Sequence, residues 1–435
     1  MTAGASARAG RLPGAIALVV GQVIAVGIFL TPGTMIRTLG SPFLILAIWT
    51  AMGGMAICGA LCYGALAARY PQSGGGYVYL REAYGPRVAF LYGWKCLLVM
   101  DPGITAALAT GFASYVAYLA PIGPGASRLV AVAAIVGFAL VHVAGVRVGL
   151  RLLGAVAALK IAVLLAVILA AFASPVASST HFMPFFAGVP GGASLGGALA
   201  GASIAAFFSF GGWWEVTKVA GELEDPRGTL PRALLIGLVI GTVTYAAATM
   251  AFLAVLPPGG VAEGQAIVAQ VGEAILGSGG GAVLAGIVIV CVLGSLGTMQ
   301  MVAPRLYVAM ARDGLLPAAI AAIHPRFRTP VRAIGVQALL ASVLVVLGTF
   351  DAIVAYFVFI TVVFIAATVA SVFVIGRQDA TFRVPGHPWT TMTFLGLVSA
   401  LLVLLALGSP LQAALGVVVV SVALPVYQLI PIRER

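Results

Sequence analysis

The feature that most constrains this chain is a succession of long apolar runs, many of them about twenty residues in length and carrying few charges. Only 23 Lys or Arg and 12 Asp or Glu residues occur among 435, whereas 62% of the residues are hydrophobic. A soluble domain contains about 25% charged residues, so a soluble fold of this chain would lack the polar side chains to cover its surface. The composition excludes a soluble enzyme and a disordered protein, and it predicts a polytopic membrane protein.

Each apolar run is long enough to cross a bilayer as a helix. The hydrocarbon core requires about 20 apolar residues per helix, which gives room for about twelve spans. We predict an all-α fold, because backbone groups that face lipid must hydrogen-bond within their own segment. The predicted spans are residues 12–36, 42–68, 88–119, 128–145, 148–173, 195–221, 231–256, 282–310, 333–349, 352–376, 391–408 and 411–431.

The segments between these spans alternate in charge. One set contains 19 Lys and Arg residues, and the other contains only Arg37 and Arg128. Cytoplasmic loops carry the excess of basic residues, so both termini, residues 1–11 and 432–435, are predicted to be cytoplasmic. The net charge of +11 is spread over these loops and forms no basic patch, which excludes nucleic acid as a partner and leaves the lipid bilayer.

Two spans contain small, flexible residues near their middle. These stretches are residues 21–32 in span one and residues 207–214, with Gly211 and Gly212, in span six. Matching interruptions in two halves of a chain are the pattern of an inverted-repeat transporter with a site at the membrane midplane. In span one, close helix packing through small residues is an equal alternative.

Four stretches then resemble one family of membrane proteins. They are Gly27-Ile28-Phe29 with Pro32, and residues 63–94, 207–232 and 304–330. Together they are similar to the amino acid–polyamine–organocation superfamily, and within it to bacterial permeases close to the L-type amino acid exchangers. The resemblance implies a leucine-transporter-like fold with discontinuous helices one and six. Its two five-helix inverted repeats would be residues 12–173 and 195–376, followed by two peripheral helices within residues 391–431.

The resemblance also implies a function and a location. The chain would be a secondary active transporter for amino acids, neutral in preference and independent of sodium, in the bacterial inner membrane. It would work by alternating access, as an exchanger or as a proton-coupled symporter. Family positions that differ here include Ala25-Val26-Gly27 in place of G-S-G, and Ala65 and Gly76 in place of acidic residues. These changes leave a second hypothesis open, a sensor or interaction subunit that keeps the fold without transporting.

A zwitterionic substrate needs partners for both of its charges. The free N–H groups at the start of a half-helix suit a carboxylate, and unwound carbonyl groups suit an ammonium. The resemblance places the substrate at the same two breaks. The predicted substrate-binding residues are Gln22, Ile24, Ala25, Val26, Gly27, Ile28, Phe208, Ser209, Phe210 and Gly211.

Three residues after or within the second break are predicted to act as gates. In the family, an aromatic residue near Phe208 caps the substrate, and Trp213 is a second candidate. Both aromatic side chains have plain packing as the alternative. Glu222 matches an acidic residue of the family and is predicted to pair with loop residues such as Arg305 or Arg312; a solvated helix end is its alternative.

Two charged residues deep in the spans are predicted to couple transport to ions. A charge at the membrane centre costs about 2.5–3.5 kcal/mol on insertion scales. Lys160 matches a family lysine whose ammonium replaces sodium, and carrying a proton or bonding to carbonyls are its alternatives. Asp101 would bind an amine, titrate or pair with a basic residue. On α-helical geometry Asp101 and Lys95 point to different faces, and Lys95 is expected to extend to the cytoplasmic edge.

No motif in the sequence predicts a metal, a cofactor or catalysis. The four histidines are isolated from one another, and no nucleotide-binding glycine pattern occurs in context. The Gly74–Gly76 run is predicted to be a turn, because no Lys-Ser or Lys-Thr pair follows it. The predicted partners are therefore an amino acid and the lipid bilayer, while the oligomeric state stays open.

Overall fold

The computed structural model describes residues 12–71, 74–145, 150–192, 194–222, 225–262, 266–379 and 382–429. In these ranges the chain forms helices and connecting segments, without a strand. Ten of the helices are long and apolar enough to cross a membrane. The predicted all-α membrane fold is thus confirmed, while the count of twelve spans stays a prediction. The predicted cytoplasmic termini, 1–11 and 432–435, lie outside the described residues.

The first half of the chain contains nine α-helices and one short π-helix within the described ranges. They are α1 (Leu12–Val23), α2 (Gly27–Leu30), α3 (Pro32–Leu39), α4 (Pro42–Arg69), α5 (Gly76–Tyr84), α6 (Pro86–Lys95), the π-helix (Cys96–Met100), α7 (Asp101–Leu119), α8 (Pro124–Val143) and α9 (Leu150–Ala173).

The second half follows after two short 3-10 helices. Its longer elements are α10 (Leu195–Phe210), a 3-10 helix (Trp213–Glu222), α11 (Pro226–Val255), α12 (Ile267–Leu276), α13 (Ser278–Arg312), α14 (Val331–Leu347), α15 (Phe350–Gln378), α16 (Trp389–Gly408), α17 (Pro410–Ser421) and α18 (Ala423–Leu429).

Polar caps set the start of several long helices. The side chains of Ser41, Ser194, Asp225 and Thr349 each accept a hydrogen bond from a backbone N–H group three residues later. Such caps satisfy donors that the first turn of a helix leaves open. Asp225 places the start of α11 at Pro226, five residues before the predicted start at residue 231.

The connections contain helices that hydropathy alone did not predict. Helix α5 lies in the predicted loop after span two, and α12 lies between predicted spans seven and eight. The Gly74–Gly75 segment before α5 forms the predicted turn, with φ angles of +140° and +54°. The last predicted span, 411–431, is interrupted at Val422 between α17 and α18.

A π-helix interrupts the third span and corrects our expectation for Lys95. The segment Cys96–Met100 has π-helical hydrogen bonding, so α-helical angles do not relate Lys95 to Asp101. Lys95 is only 1% exposed, and its Nζ atom lies 3.2 Å from the Met100 sulfur and 4.5 Å from the centre of the Tyr92 ring. The expectation that it extends to the membrane edge is wrong, because aromatic and thioether groups surround its ammonium inside the protein.

Contacts between connections sort them into two groups. Arg69 forms an ion pair with Asp379 at 2.8 Å, and the Thr329 hydroxyl donates a hydrogen bond to the carbonyl of Val143. Arg69, Asp379 and Thr329 lie in basic connecting segments, and Val143 lies at the end of a span that borders one. In the other group, Phe43 N–H donates to the carbonyl of Phe185. The contacts agree with the alternation of charge along the chain, and the basic side is predicted to face the cytoplasm.

Helix α1 packs into glycine-lined grooves of α11, and α2 packs against α10. A Cβ atom at Gly237 would lie 2.4 Å from Val19, and one at Gly27 would lie 2.5 Å from the backbone Cα atom of Ser209. Both distances are shorter than real contacts between carbon atoms. The first half of the chain is therefore held against the second half by backbone approaches that only glycine permits.

Gly27→Ala is expected to destabilise the protein by about 1–3 kcal/mol, because a methyl group at this backbone contact would push α2 and α10 apart. The measurement is the thermal unfolding midpoint of the purified protein in detergent. Gly21→Ala is the matched control, since a Cβ atom there has no neighbour within 4 Å and alanine favours the helix by about 0.5–1 kcal/mol. Equal midpoints for the two variants would contradict this account of the crossing.

Candidate functional site

The first span is interrupted where the sequence predicted a break. Helix α1 ends at Val23, residues 24–26 are not helical, and α2 begins at Gly27. The N–H groups of Ile24 and Ala25 donate to the carbonyls of Val20 and Val23, both at 2.7 Å. Because a new helix begins at Gly27, no preceding helical turn supplies carbonyl groups to which the first N–H groups of α2 could donate.

The sixth span is interrupted at Gly211–Gly212. Helix α10 ends at Phe210, and the chain resumes as a 3-10 helix at Trp213. Gly212 has a φ of +103°, a region that residues with a side chain rarely adopt. A Cβ atom at Gly212 would lie 3.4 Å from the carbonyl oxygen of Gln22. The second break thus lies directly against the end of α1.

The two breaks touch each other through backbone and hydroxyl groups. Gly27 faces the backbone of Ser209, and the Ser209 and Thr31 hydroxyl oxygens are 2.7 Å apart. The Thr31 hydroxyl also donates to the carbonyl of Gly27 at 3.1 Å. Of the predicted substrate residues, Gly27 and Ser209 are therefore in direct contact, although they are far apart in sequence.

Tyr245 of α11 links both breaks, and the sequence analysis did not predict it. Its hydroxyl group lies within hydrogen-bond distance of the carbonyl oxygens of Val23 and Ser209. The phenol has one proton, so it donates to one of these carbonyls at a time. Its ring packs against Trp49 and Phe210, at centroid distances of 5.1 Å from each. Phe210 therefore belongs to an aromatic cluster behind the breaks.

The remaining predicted substrate residues differ in exposure. Ile24, Val26 and Ile28 are buried, Ala25 and Gly211 are half-buried, and Gln22 is exposed. The apolar side chains of Val26 and Ile28 are packed inside the protein, at 1% and 0% exposed. The backbone of Gly27, between them, contacts the backbone of Ser209. The predicted donors are therefore main-chain groups, whose chemistry does not depend on the side chain at each position.

Phe208 belongs to the last turn of α10, and its ring packs against α15. Its ring centroid is 5.7 Å from that of Phe350 and 5.9 Å from that of Phe357. Trp213 instead packs edge-on against Tyr63 at 5.2 Å and is 2% exposed. The two predicted aromatic gates thus occupy different surroundings. The side chain of the third predicted gate, Glu222, lies outside the described residues.

A cavity of about 340 Å³ opens on the side of the molecule away from the basic loops. We call it the outer cavity. Helix α3, the middle of α10, the start of α15 and the connection between α16 and α17 form its walls. The lining residues are Thr31, Thr34, Thr38, Gly201, Ile204, Ala205, Phe350, Asp351, Ala352, Val354, Gly408, Ser409 and Gln412.

Lys160 of α9 reaches across to α13. The side chain is 9% exposed, and its Nζ atom donates a hydrogen bond to the Ser295 hydroxyl at 2.8 Å. This bond joins the last helix of the first predicted repeat to a helix of the second. The ammonium group is therefore enclosed in the protein and not directed to the membrane surface.

Asp101 of α7 belongs to a buried polar network. The Tyr307 hydroxyl lies 3.0 Å from Asp101 Oδ2 and is also within hydrogen-bond distance of Gln337 Oε1. Gln337 Nε2 donates to the Thr105 hydroxyl at 2.8 Å, and that hydroxyl donates to the Asp101 carbonyl at 2.8 Å. The network connects α7, α13 and α14. Tyr307 and Gln337 were not predicted, because the residues that they contact lie on other helices, far away in sequence.

The described residues contain no group of three His, Cys, Asp or Glu side chains that could hold a metal ion. His142, for example, is buried and its Nε2 atom lies 2.9 Å from the carbonyl oxygen of Gly297. The polar groups near the breaks are instead hydroxyl and main-chain groups, with the side-chain amide of Gln22 beside Gly212. This set can hold a small zwitterion by hydrogen bonds and by local dipoles.

Comparison with known proteins agrees with this architecture. A family model described as an amino acid permease matches residues 12–427. The serine/threonine exchanger SteT of Bacillus subtilis is 27% identical over 423 residues, covering 95% of this chain and 94% of that protein.

Two mammalian transporters are similar over the same length of this chain. The mouse Asc-type amino acid transporter 1 is 28% identical over 429 residues, covering 96% of this chain and 80% of that protein. The human large neutral amino acids transporter small subunit 2 is 28% identical over 435 residues, with 96% and 79% covered. With two interrupted helices in contact and a family match over nearly its whole length, this chain belongs to the amino acid permease family.

Proposed function

We propose that this permease exchanges small neutral amino acids across the membrane without sodium, by alternating access around its two interrupted helices. The observation that carries the proposal is the contact between Gly27 and Ser209, which brings together the helix ends that flank the two breaks, one from each half of an amino acid permease. The exchange activity in the name of SteT and the neutral substrates named for its human relative support this choice. These names favour transport over a sensor that has lost it.

The substrate would lie at the junction of the two breaks. Its carboxylate would accept hydrogen bonds from the N–H groups of Val26, Gly27 and Ile28, and its ammonium would donate to nearby carbonyls. Tyr245 already lies on the carbonyls of Val23 and Ser209, and the carbonyl of Phe208 accepts from Gly211 N–H at 3.2 Å. The carbonyl of Ile24 is therefore the better candidate. Phe208 would close the site as a gate, and Ala25, with its small side chain, leaves room for a short substrate.

The chain would be organised as two inverted repeats, residues 12–173 and 195–376, with residues 391–431 peripheral. The breaks then fall in the first helix of each repeat, which is a recurring arrangement in inverted-repeat transporters that work by alternating access. The basic loops, and with them both termini, would face the cytoplasm of a bacterial inner membrane. Trp213 and Glu222, which follow the second break, would belong to the cytoplasmic gate.

Lys160 would take the part that sodium plays in related carriers. Its ammonium bridges α9 to Ser295 of α13, and a fixed positive charge there would tie two helices of different repeats together. Because the Lys160 ammonium stays in place throughout the transport cycle, no sodium ion would have to bind there, and transport would need no sodium gradient.

Proton-coupled symport is the second candidate, and Asp101 favours it. Its side chain is 3% exposed, and ionisable residues inside membrane spans mark proton relays and substrate paths. The Tyr307 hydroxyl can hydrogen-bond to both of its protonation states, as donor to the carboxylate or as acceptor from the acid. Asp101 is therefore a candidate carrier of one proton per cycle.

The deciding experiment is counterflow in proteoliposomes. Vesicles loaded with unlabelled serine are diluted into radiolabelled serine or threonine, with sodium or with choline as the external cation. We expect accumulation of label that depends on internal amino acid and is the same in both salts. Accumulation into empty vesicles that requires a proton gradient would favour symport instead, and no accumulation of any amino acid would contradict both.

Lys160→Gln is expected to lower the counterflow rate at least about tenfold, because it keeps much of the side-chain length but removes the charge. Ser295→Ala is the matched control that keeps the ammonium and removes only its hydroxyl partner, with an expected loss of about 0.5–1.5 kcal/mol in stability. Size-exclusion profiles and unfolding midpoints establish that both variants are folded. Full sodium-free activity of Lys160→Gln would exclude the ammonium from the mechanism.

Asp101→Asn separates the two transport modes. The amide oxygen can still accept a hydrogen bond from Tyr307, so the network and the fold should survive. If Asp101 carries the proton, an imposed gradient, acidic outside, stimulates uptake by the native protein but not by the variant, while exchange between equal pH values persists. Undiminished stimulation of the variant would rule out Asp101 as the proton carrier.

A further inference from the structure

The outer cavity ends on the junction of the two breaks. Thr31 forms part of its lining, and the Thr31 hydroxyl lies 2.7 Å from that of Ser209. On another wall, Phe350 lines the cavity and its ring packs edge-on against Phe208. A solute in this cavity would therefore be separated from the predicted substrate site by Thr31 on one side and the Phe208–Phe350 pair on the other.

The cavity has room for a ligand. Its volume of about 340 Å³ falls at the lower end of the range of about 300–1,000 Å³ for small-molecule sites. Thr31, just before α3, and Thr34 and Thr38 within it line one wall, and Ser409 and Gln412 line another. This mixture of hydroxyl and amide groups can hydrogen-bond to a polar solute, and the apolar wall of α10 can pack against a short side chain.

Among the described residues that line this cavity, Asp351 is the only charged one. Its side chain is exposed, and within the described ranges no basic group lies within 4.0 Å of its carboxylate. Arg37 is close enough to Asp351 to interact electrostatically, and its Nη1 atom donates to the carbonyl of Ala262 at 3.4 Å, so it attracts the carboxylate without forming an ion pair with it. The carboxylate is therefore available to a cationic group that enters the cavity.

Thr34 provides a second, independent sign of a ligand. The residue is 9% exposed, and its hydroxyl oxygen is buried without a hydrogen-bond partner among the described residues. The neighbouring Thr38 hydroxyl differs, because it donates to the carbonyl of Thr34 at 2.8 Å. A buried hydroxyl without a partner costs free energy, and a polar ligand in the cavity would remove that cost.

We propose that the outer cavity is a second substrate subsite. In it, the Asp351 carboxylate binds the ammonium group of an incoming amino acid, and the Thr34 hydroxyl hydrogen-bonds to the same amino acid. The subsite would hold the substrate before Phe208 and Phe350 separate. A single carboxylate there favours zwitterionic and cationic amines over anions. This inference rests on the proposed function and names a place where its substrate first binds.

Asp351 also has a structural alternative that the test must exclude. It lies in the first turn of α15, where a carboxylate stabilises the helix dipole. Loss of that role would lower the unfolding midpoint and would weaken binding from both sides of the membrane alike. Loss of an outer subsite would raise KM on one side only.

The experiment compares the two sides of the membrane in vesicles of defined orientation. KM for radiolabelled serine exchange is measured in right-side-out and inverted vesicles containing the full-length protein. We expect Asp351→Asn to raise the external KM about threefold to tenfold with little change in maximal rate or internal KM, and Asp351→Glu to restore it. Asp313→Asn is the control, since it removes an equal charge from an exposed position on the basic side.

Thr34→Val keeps the shape of the side chain and removes the hydroxyl. We expect it to raise the external KM about twofold to fivefold without lowering the unfolding midpoint, because the hydroxyl has no hydrogen-bond partner to lose among the described residues. Unchanged external KM values in both Asp351→Asn and Thr34→Val, in a protein whose native form exchanges serine, would overturn the subsite alone. Absence of exchange by the native protein would overturn the exchanger, and the subsite with it.

Discussion

The structure depends on a simple constraint: backbone groups inside a membrane must find hydrogen-bond partners. Two spans of this chain give up helical bonding near their middle, at residues 24–26 and at Gly211–Gly212. The chain meets the constraint by bringing the two breaks together and placing Tyr245 against a carbonyl from each. Irregular backbone is tolerated at this depth only where protein or a polar cavity surrounds it. The same arrangement concentrates main-chain donors and acceptors at one point, which is what a zwitterionic substrate requires.

Buried charges outside the breaks follow the same rule. Lys160 is held by a hydroxyl on α13, Asp101 by a phenol on α13, and Lys95 by a sulfur and an aromatic ring. Each of these residues has a polar or polarisable partner, which offsets part of the cost of a charge in the membrane. The partners of Lys160 and Asp101 both lie on α13, so one helix of the second half anchors two charged helices of the first.

Hydropathy predicted the long helices well and the connections poorly. The observed helix Pro42–Arg69 differs from the predicted span 42–68 by one residue, because lipid imposes a length and an apolar composition that the sequence must display. Helices α5 and α12 are short and α5 is partly polar, so no such constraint marks them. The π-helix before Asp101 was missed for a related reason, since its apolar sequence is compatible with either helical geometry. It altered the surroundings of Lys95, whose burial the sequence analysis did not expect.

The sequence by itself determined the class of fold, the two weak points in the helices and membership of a transporter family. It did so because a membrane restricts composition at every position of a span, and because Gly211-Gly212 cannot hold a helix as firmly as bulkier residues do. Only the tertiary structure decided which groups the weak points meet. Tyr245, Ser295, Tyr307 and Thr34 each have other polar residues close by in sequence, and nothing in the sequence distinguishes them from those neighbours. Their partners lie on other helices, so their roles follow from how the helices pack in three dimensions.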